Sequence, residues 1–470
     1  MSNNYAIYRL IFPLFFLLPA FVGISQEGFF IVENILLEGN KKTHAQVIYN
    51  ELEVMPGDTV YFEDFTELVV ESRKRVLGTA LFTGCEVNIK NWRTDVHLAD
   101  LEIKVQENWY IYPSLIFELA DRNFNVWWTE QNRDFDRVNY GVGLEHINLF
   151  GRKDKLKFKV QGGYTRKYEI NYNYPYINKT WGASGEIFFS DQREIAFSTD
   201  GNKLLFRQND DERKLLRRFR IGAGVNHRPD VYNFHNFTIT YHQNGIDDFV
   251  SDLNPDYFLN GATELKYFRL SYNYTWDGRI FNLYPEGGSL YSINLTKEGI
   301  GVFDGINNLS LSLGYEKHIK ISDRWIYGTR LKVKTNILRN PIPYANNQGL
   351  GYGNDLVRGY ELYVVDGTDW AIAKSSMRFL LYENDYKHGK YMVIDQFEKM
   401  NIRLFLRANL DFGFVNEPTY QLNNELINRT LIGYGPAFDM LLYHTYKFSI
   451  EYSFNHLNER GLFLSSDFNF

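Results

Sequence analysis

The sequence predicts an all-β transmembrane barrel of about sixteen antiparallel strands, preceded by one small α/β domain. Aromatic residues make up 17% of the chain, yet its mean hydropathy is −0.36. This combination is typical of membrane barrels, because only every second strand residue contacts lipid. Alternation of apolar and polar residues recurs throughout residues 109–470, whereas residues 26–108 contain helical periodicity. These observations separate a short mixed region from a long β region.

An apolar run of about 15 residues, Leu10–Ile24, opens the chain after Arg9. The small residues around Ser25 follow it, which predicts a secretory signal peptide over residues 1–25 with cleavage near Ser25. A membrane anchor is the alternative, but a spanning helix needs about 20 apolar residues, and Pro13 and Pro19 weaken one here. No other segment approaches the length of a transmembrane helix, so membrane residence requires a barrel.

Residues 26–108 predict a module of order βααββ. We expect Thr43 to cap the first helix, and Pro56-Gly57-Asp58 to end it. The second helix has apolar residues at 3.6-residue spacing. The predicted elements are strand Phe30–Leu37, a helix carrying Val47, Ile48 and Leu52, helix Glu63–Leu77, and strands Cys85–Lys90 and Val96–Val105. Any small α/β domain could have this order, but the position of the module between a signal peptide and a barrel disfavours that alternative.

The strands of residues 109–470 alternate clearly in Asn401–Gly413. One face carries Ile402, Leu404, Leu406, Ala408, Leu410 and Phe412; the other carries Asn401, Arg403, Arg407, Asn409 and Asp411. We expect one face to meet lipid and the other to line water. A soluble β-sandwich also alternates, but its outward face is not this aromatic. The same pattern occurs in Trp325–Asn336, Tyr446–Asn455, Leu156–Tyr164, Glu169–Tyr174 and Leu309–Glu316.

Several classes of protein are disfavoured by composition. A net charge of −6, with no basic run beyond Arg213–Arg220, argues against a nucleic-acid-binding surface. One cysteine, Cys85, supplies neither an internal disulfide nor a multi-cysteine metal site. Metalloprotease and nucleophile-elbow motifs are missing, and Gly349, Gly351 and Gly353 do not lie between a strand and a helix. No cofactor or enzyme activity is predicted, although separate Ser, His and Asn residues could still form a lumenal lipase.

Four segments carry a family resemblance. The glycine-rich stretch Gly349–Glu361 contains Val357-Arg358-Gly359-Tyr360, which alone would fit a turn with a solvated arginine. The other segments are Asn148-Leu149-Phe150-Gly151, Trp276-Asp277-Gly278-Arg279 with Tyr284-Pro285 and Gly287-Gly288, and Asp411-Phe412-Gly413. Together and in their order along the chain, they resemble the BamA/TamA-type superfamily of outer-membrane assembly factors.

The resemblance implies a POTRA domain over residues 26–108 and a barrel over 109–470. It also implies that the loop tip Val357, Arg358, Gly359 and Tyr360 folds back into the barrel, near Asp411 and Gly413. Asn148 and Gly151, and likewise Asp277, Arg279, Pro285 and Gly288, correspond to periplasmic turns. The family usually has a second acidic residue where this chain has Ser376, so the hold on the arginine is in question.

The first and last strands of a barrel must pair to remove exposed edges. The expected first strand, Tyr110–Leu119, contains Pro113, which cannot donate to a strand ladder. The expected last strand places Leu462, Leu464, Phe468 and Phe470 outward. Pro113 therefore allows two interpretations. Either it weakens the seam with the last strand, which carries Phe468 and Phe470, or it merely precedes the first paired residue.

The resemblance implies that the protein inserts unfolded outer-membrane protein clients into the membrane without a cofactor. It also implies that the barrel lies in the bacterial outer membrane and the POTRA domain in the periplasm. Periplasmic chaperones or lipoproteins and the lipid bilayer are the other implied partners. A two-partner secretion pore is the alternative, although that class usually has two POTRA domains and a plug helix. A passive porin is third, since porins need no periplasmic module.

Overall fold

The computed structural model describes residues 28–175, 177–178, 180–208, 213–230, 232–279, 283–303, 305–387, 399–417, 423–443 and 446–468. The predicted signal peptide and Phe470 lie outside these residues. The described chain divides into two compact units, residues 28–40 with 51–106, and residues 41–50 with 107–468. Among the described residues, no helix is long and apolar enough to cross a membrane.

The first unit is a small α/β domain with a four-stranded sheet of order β2-β1-β4-β3. Strands β1 and β4 are parallel, and β1 and β2 are antiparallel. Its core contains side chains with no exposed surface, including Phe30, Val76 and Leu101. The elements are β1 (Phe29–Glu38), β2 (Thr59–Tyr61), α2 (Phe62–Gly78), β3 (Phe82–Arg93) and β4 (Leu98–Glu107), with α1 (Ala45–Tyr49) grouped with the second unit.

Two details of this region differ from the prediction. The chain forms an additional strand, β2, because a turn with Gly57 at φ +99° brings it back beside β1. The Asp58 carboxylate accepts a hydrogen bond from Met55 N in this turn, at 2.7 Å. Thr43 does not cap α1, since the N-cap residue is His44 and no side chain bonds there. The Thr43 hydroxyl instead lies 2.9 Å from the Tyr110 hydroxyl.

The second unit is a barrel built on one sheet of sixteen strands, which confirms the predicted strand number. Consecutive strands of this sheet pair in antiparallel fashion. The strands are β5 (Ile111–Leu119), β6 (Val138–His146), β7 (Lys155–Gly163), β8 (Thr165–Tyr174), β9 (Trp181–Gln192), β12 (Leu216–His227), β13 (Asn233–Ile246), β14 (Glu264–Asp277), β15 (Gly288–Glu298), β16 (Asn308–Lys320), β17 (Trp325–Asn336), β18 (Asp369–Lys387), β19 (Lys399–Asn416), β20 (Thr430–Leu442), β21 (Tyr446–Asn455) and β22 (Arg460–Phe468).

The predicted alternation is clear in β19. Leu406 and Phe412 are exposed on the outer face, whereas Arg407 and Asp411 are buried on the inner face. One large apolar side chain, Phe405, also lies on the inner face and is fully buried. It packs against residues of other elements inside the barrel, namely Tyr284, Ile326 and Leu441.

The barrel has two distinct ends. The end that holds the connection between β17 and β18, residues 337–368, is called the loop end. The end that holds residues 147–154, 278–279 and 283–287 is called the turn end. The loop end also carries helices α3 (Phe124–Thr129) and α4 (Asp248–Leu253) and a separate hairpin of β10 (Glu194–Asp200) and β11 (Lys203–Gln208).

Strand length varies around the sheet. Strands β5, β6 and β7 have nine residues each, whereas the described parts of β18 and β19 have 19 and 18. A strand crosses a bilayer with about 9 to 11 tilted residues. The wall is therefore short at β5, β6 and β7, at one end of the sheet order.

Candidate functional site inside the barrel

The connection between β17 and β18 folds back against the inner wall. Its tip turns at Gly359, where φ is +83°, and Tyr360 N donates to Val357 O at 3.1 Å. Val357 and Tyr360 are almost fully buried. They belong to a cluster of buried apolar side chains from the loop and from strands β18, β19 and β20, which includes Leu350, Ile372, Val415 and Leu431.

Glycines in the wall make room for this tip. A Cβ atom on Gly433 would lie 1.7 Å from the Arg358 carbonyl oxygen. One on Gly413 would lie 2.4 Å from the Val357 side chain. Only a residue without a side chain fits at these places, so the predicted Gly413 contacts the loop directly.

The structure brings Arg358 and Asp411 together. Arg358 Nη1 donates to Asp411 Oδ1 at 2.6 Å, and Arg358 N donates to Asp411 Oδ2 at 3.2 Å. The second acidic partner is Glu451 of β21, whose Oε2 lies 3.1 Å from Arg358 Nε. Ser376 lies on β18 and supplies no carboxylate. The expectation that Arg358 is held less firmly is therefore corrected, because Glu451 of another strand provides the second carboxylate.

A continuous set of ion pairs extends from this arginine toward the turn end. Glu451 also accepts from Arg407 Nη2 at 2.7 Å. Arg407 donates to both carboxylate oxygens of Asp439, at 2.6 and 2.9 Å, and Asp439 has no exposed surface. The Tyr284 hydroxyl donates to Asp439 at 2.6 Å. We call Arg358, Asp411, Glu451, Arg407, Asp439 and Tyr284 the lumenal network.

Tyr284 belongs to the connection between β14 and β15, of which residues 278–279 and 283–287 are described. Arg279 forms a bidentate pair with Asp277, at 2.9 and 2.8 Å. Arg378 of β18 donates to the Pro285 carbonyl oxygen at 2.6 Å. Gly288 has φ +94°, and a Cβ there would lie 2.1 Å from Gly278 O. This connection therefore contacts the inner wall opposite it as well as its own strands.

The turn between β6 and β7 contains Asn148 and Gly151. Asn148 has no exposed surface; its Nδ2 donates to Thr43 Oγ1 at 2.9 Å, and its Oδ1 accepts from Lys153 N at 2.9 Å. Gly151 has φ +77° and its carbonyl oxygen accepts from His44 N at 2.8 Å. These two predicted residues thus fix segment 41–50 within the second unit and do not join the lumenal network.

Pro113 lies inside strand β5, with Leu144 of β6 as its Cα partner. Ile147 N donates to Tyr110 O at 3.0 Å, and Ala120 N donates to Arg137 O at 2.8 Å. Alternate residues of an antiparallel strand bond to the same neighbour, so even-numbered residues of β5 bond to β6. The odd-numbered residues, including Pro113, direct their backbone to the opposite edge, which therefore lacks one N–H donor.

The reading in which Pro113 only precedes the first paired residue is therefore wrong. Phe468 ends strand β22 at the other end of the sheet order. Phe470, the last predicted seam residue, lies outside the described residues.

A second feature missed by the sequence reasoning closes over the loop tip. Asn202, between β10 and β11, is 3% exposed and bonds to two other connections. These are the β19–β20 and β17–β18 connections: its backbone N donates to Asn424 Oδ1 at 2.8 Å and its Oδ1 accepts from Leu426 N at 3.0 Å, whereas its carbonyl accepts from Val364 N at 2.8 Å. Arg122 donates to Gly351 O at 2.7 Å. The loops thus hold one another above the tip.

The chemistry of this site is electrostatic and mechanical. Buried carboxylates and guanidinium groups pair with one another, which holds an irregular loop inside a strand wall. Within the described ranges, no group of three or more His, Cys, Asp or Glu residues could hold a metal ion. The site positions a loop against the inner wall.

An antiparallel barrel with a long loop returning to an inner-wall aspartate defines a class of outer-membrane barrel. Residues 148–377 match the Omp85 superfamily domain. This part of the chain therefore carries an Omp85 superfamily domain.

Solved structures share this fold at low sequence identity. BamA from Haemophilus ducreyi lacking POTRA domains 1–3 superposes with a TM-score of 0.62 and 13% identity, covering 93% of this chain and 84% of that one. CdiB from Escherichia coli gives 0.55 and 12%, covering 93% and 75%. CdiB from Acinetobacter baumannii gives 0.52 and 11%, covering 93% and 73%. No curated protein matches the chain in sequence.

Arg358→Ala and Asp411→Asn are expected to destabilise the barrel non-additively, because the two side chains share one contact. Coupling between contacting residues is commonly about 0.5 to 3 kcal/mol. A double-mutant cycle on heat unfolding of the purified barrel measures it. Glu316, which pairs with Arg279 and Arg330, provides the control: Arg358→Ala and Glu316→Gln should add. Additive effects in the Arg358–Asp411 cycle would contradict an energetic pairing.

Proposed function

We propose that this protein inserts β-barrel proteins into the outer membrane by accepting client strands at the edge of β5. The observation that carries this proposal is the missing backbone donor at Pro113, on the edge that faces away from β6. An edge with fewer hydrogen bonds costs less to expose. The short strands β5, β6 and β7 support the same route, because a shorter wall disturbs the adjacent bilayer more.

The first unit has the role of a periplasmic POTRA domain in this proposal. Strand β3 has 12 residues and lies at one end of the sheet order. An extended client segment can add to such an edge through main-chain hydrogen bonds, which require no particular client sequence. Unfolded outer-membrane proteins are the clients, chaperones or lipoproteins deliver them, and no cofactor or catalytic step is needed.

The lumenal network also supports a route through the wall. A chain that crossed the lumen beside β19–β21 would have to displace the loop tip and break the pairs of Arg358 and Arg407. Separating a buried ion pair leaves an uncompensated charge, which costs about 3 to 5 kcal/mol. Opening an edge costs only its hydrogen bonds, each about 0.5 to 1.5 kcal/mol net.

A two-partner secretion pore is the second candidate, favoured by the similarity to CdiB over 93% of this chain. In that function an unfolded protein crosses the membrane through the lumen. The two functions differ in whether the wall or the lumen must open.

Pro113→Val is expected to slow client insertion by about two- to tenfold, because valine restores one edge hydrogen bond. The measurement is the folding rate of an unfolded outer-membrane barrel into vesicles that contain the purified protein, followed by heat-modifiable gel mobility. Pro436 of β20, an interior strand, is the matched control, and Pro436→Val should leave the insertion rate unchanged for correctly folded protein. Vesicles in which wild-type protein fails to accelerate client folding would contradict the proposed function.

A further inference from the structure

A cavity of about 750 Å³ lies at the loop end, beside the first residues of β22. Helix α3 covers one side of it with Phe124 and Trp128, and Leu362 and Tyr363 of the β17–β18 connection form another side. Residues 459–464 complete the lining, together with Asn125, Thr129, Lys203 and Gly359. The volume lies within the range of about 300 to 1,000 Å³ typical of small-ligand sites.

The wall of this cavity formed by α3 is aromatic and held in place. The rings of Phe124 and Trp128 stack at 5.5 Å between centroids. The Arg133 guanidinium lies 4.2 Å from the centre of the Trp128 ring. Asn123 Oδ1 accepts from Val126 N at 2.9 Å, and Asn123 Nδ2 donates to Glu361 O at 2.8 Å. The helix therefore presents a fixed aromatic surface rather than a free loop.

The wall formed by β22 includes side chains of the outer face. Leu462 is 61% exposed and Leu464 40%, whereas Phe463 between them is 9% exposed. Leu115 and Phe117 of β5 are also strongly exposed. Apolar side chains on the outer face of a membrane barrel contact acyl chains. The cavity thus adjoins the part of the surface where hydrocarbon is present.

A cationic side chain lies at the rim of the cavity. Arg460, the first residue of β22, is exposed, and its side chain has no hydrogen-bond or ion-pair partner among the described residues. The neighbouring Glu459 already accepts from the Tyr363 hydroxyl at 2.7 Å, and Lys203 pairs with Glu130 at 2.8 Å. An unpaired guanidinium at the membrane surface is suited to bidentate binding of phosphate.

We infer that this cavity binds one anionic phospholipid, with its phosphate on Arg460 and an acyl chain between α3 and β22. An apolar cavity with one free cation at its rim matches an amphiphile with a negative head group. A soluble anion would not need the aromatic wall, and a client strand would not need the arginine. A bound lipid would lie against the seam strand β22 without using the lumenal network.

Native mass spectrometry of the detergent-purified protein, titrated with phosphatidylglycerol and with phosphatidylcholine of the same chains, tests this inference. Wild-type protein should bind one phosphatidylglycerol about tenfold more tightly than phosphatidylcholine. Arg460→Gln should abolish that preference, and Trp128→Ala should weaken both lipids several-fold. Arg429→Gln, which removes an exposed arginine elsewhere at the loop end, should change neither. Heat-modifiable gel mobility verifies that each variant is folded.

Three results would overturn the inference. The first is an unchanged head-group preference in folded Arg460→Gln. The second is unchanged binding of both lipids in folded Trp128→Ala, which would remove the acyl-chain site. The third is displacement of the lipid by inorganic phosphate alone at equal concentration, or by a peptide copying the last strand of a client, which would identify a simple anion site or a strand-docking site instead.

Discussion

Replacing Arg407 with methionine is expected to lower the free energy of unfolding of the barrel by about 3 to 5 kcal/mol. The side chain is 6% exposed, and it donates to Asp439, Glu451 and Asn409. Methionine preserves much of the volume but leaves two carboxylates without their shared cation. Among the described residues, the remaining hydrogen-bond donors to the fully buried Asp439 would then be the hydroxyls of Tyr284 and Ser449.

The measurement for Arg407→Met is the urea unfolding curve of the purified barrel, followed by heat-modifiable gel mobility. Arg330→Met is the matched control, because Arg330 also pairs with a lumenal carboxylate, Glu316 at 2.6 Å, but is about half exposed. Solvated pairs contribute about 0 to 1 kcal/mol. Equal losses in the two variants would contradict the role of the lumenal network.

Gly433→Val is expected to expel the loop tip from the wall. The added Cβ would lie 1.7 Å from a backbone oxygen of Arg358, which cannot move without the loop. Overpacking typically costs about 1 to 3 kcal/mol, and here the pair of Arg358 with Asp411 would also be strained. The peptide bond after Arg358 should become a trypsin site in the folded variant, whereas the buried tip of the wild type resists cleavage.

Gly185→Val in β9 is the matched control, since its added Cβ would lie 3.7 Å from the nearest atom, an ordinary contact. It should resist trypsin at Arg358 as the wild type does. Equal resistance of folded Gly433→Val would mean that the loop tip is not held by a fit against that wall.

Much of the barrel follows from the sequence because strand periodicity is local. Trp325–Asn336 and Tyr446–Asn455 were predicted with the bounds that the structure gives. The α/β region was predicted less well. Strand β2 has only three residues, which is too short to show an alternation of apolar and polar residues, and a turn places it beside β1. Local propensity similarly indicated Thr43 as a helix cap, but its hydroxyl bonds to Tyr110 and Asn148 instead.

The lumenal site was predictable only where a motif carried it. Arg358 and Asp411 stand in segments that resemble a family pattern, and the structure places them in contact. Glu451, Arg407, Asp439 and Tyr284 come from β21, β19, β20 and the β14–β15 connection. Their contacts depend on strand register and barrel closure, which are non-local. In the sequence, the only sign of these contacts was a charged residue on a strand face predicted to point into the barrel.

Cysteine cross-linking between β5 and β22 tests the central claim most directly, with Cys85 first changed to Ser. Cys85 is 3% exposed, and burial raises the pKa of its thiol, so it is also a poor competitor for oxidation. Pairs with one cysteine in Ile111–Leu119 and the other in Arg460–Phe468 are screened for oxidation, which requires Cα atoms within about 5.5 to 6 Å. A pair at Ile239 and Leu270, partners on β13 and β14, is the control.

The proposed mechanism predicts that oxidised β5–β22 pairs lose client insertion, that reduction restores it, and that the oxidised Ile239–Leu270 pair keeps it. A pore that works through the lumen would be insensitive to a locked seam. Full insertion activity of the oxidised seam variant would contradict lateral opening and favour secretion through the lumen.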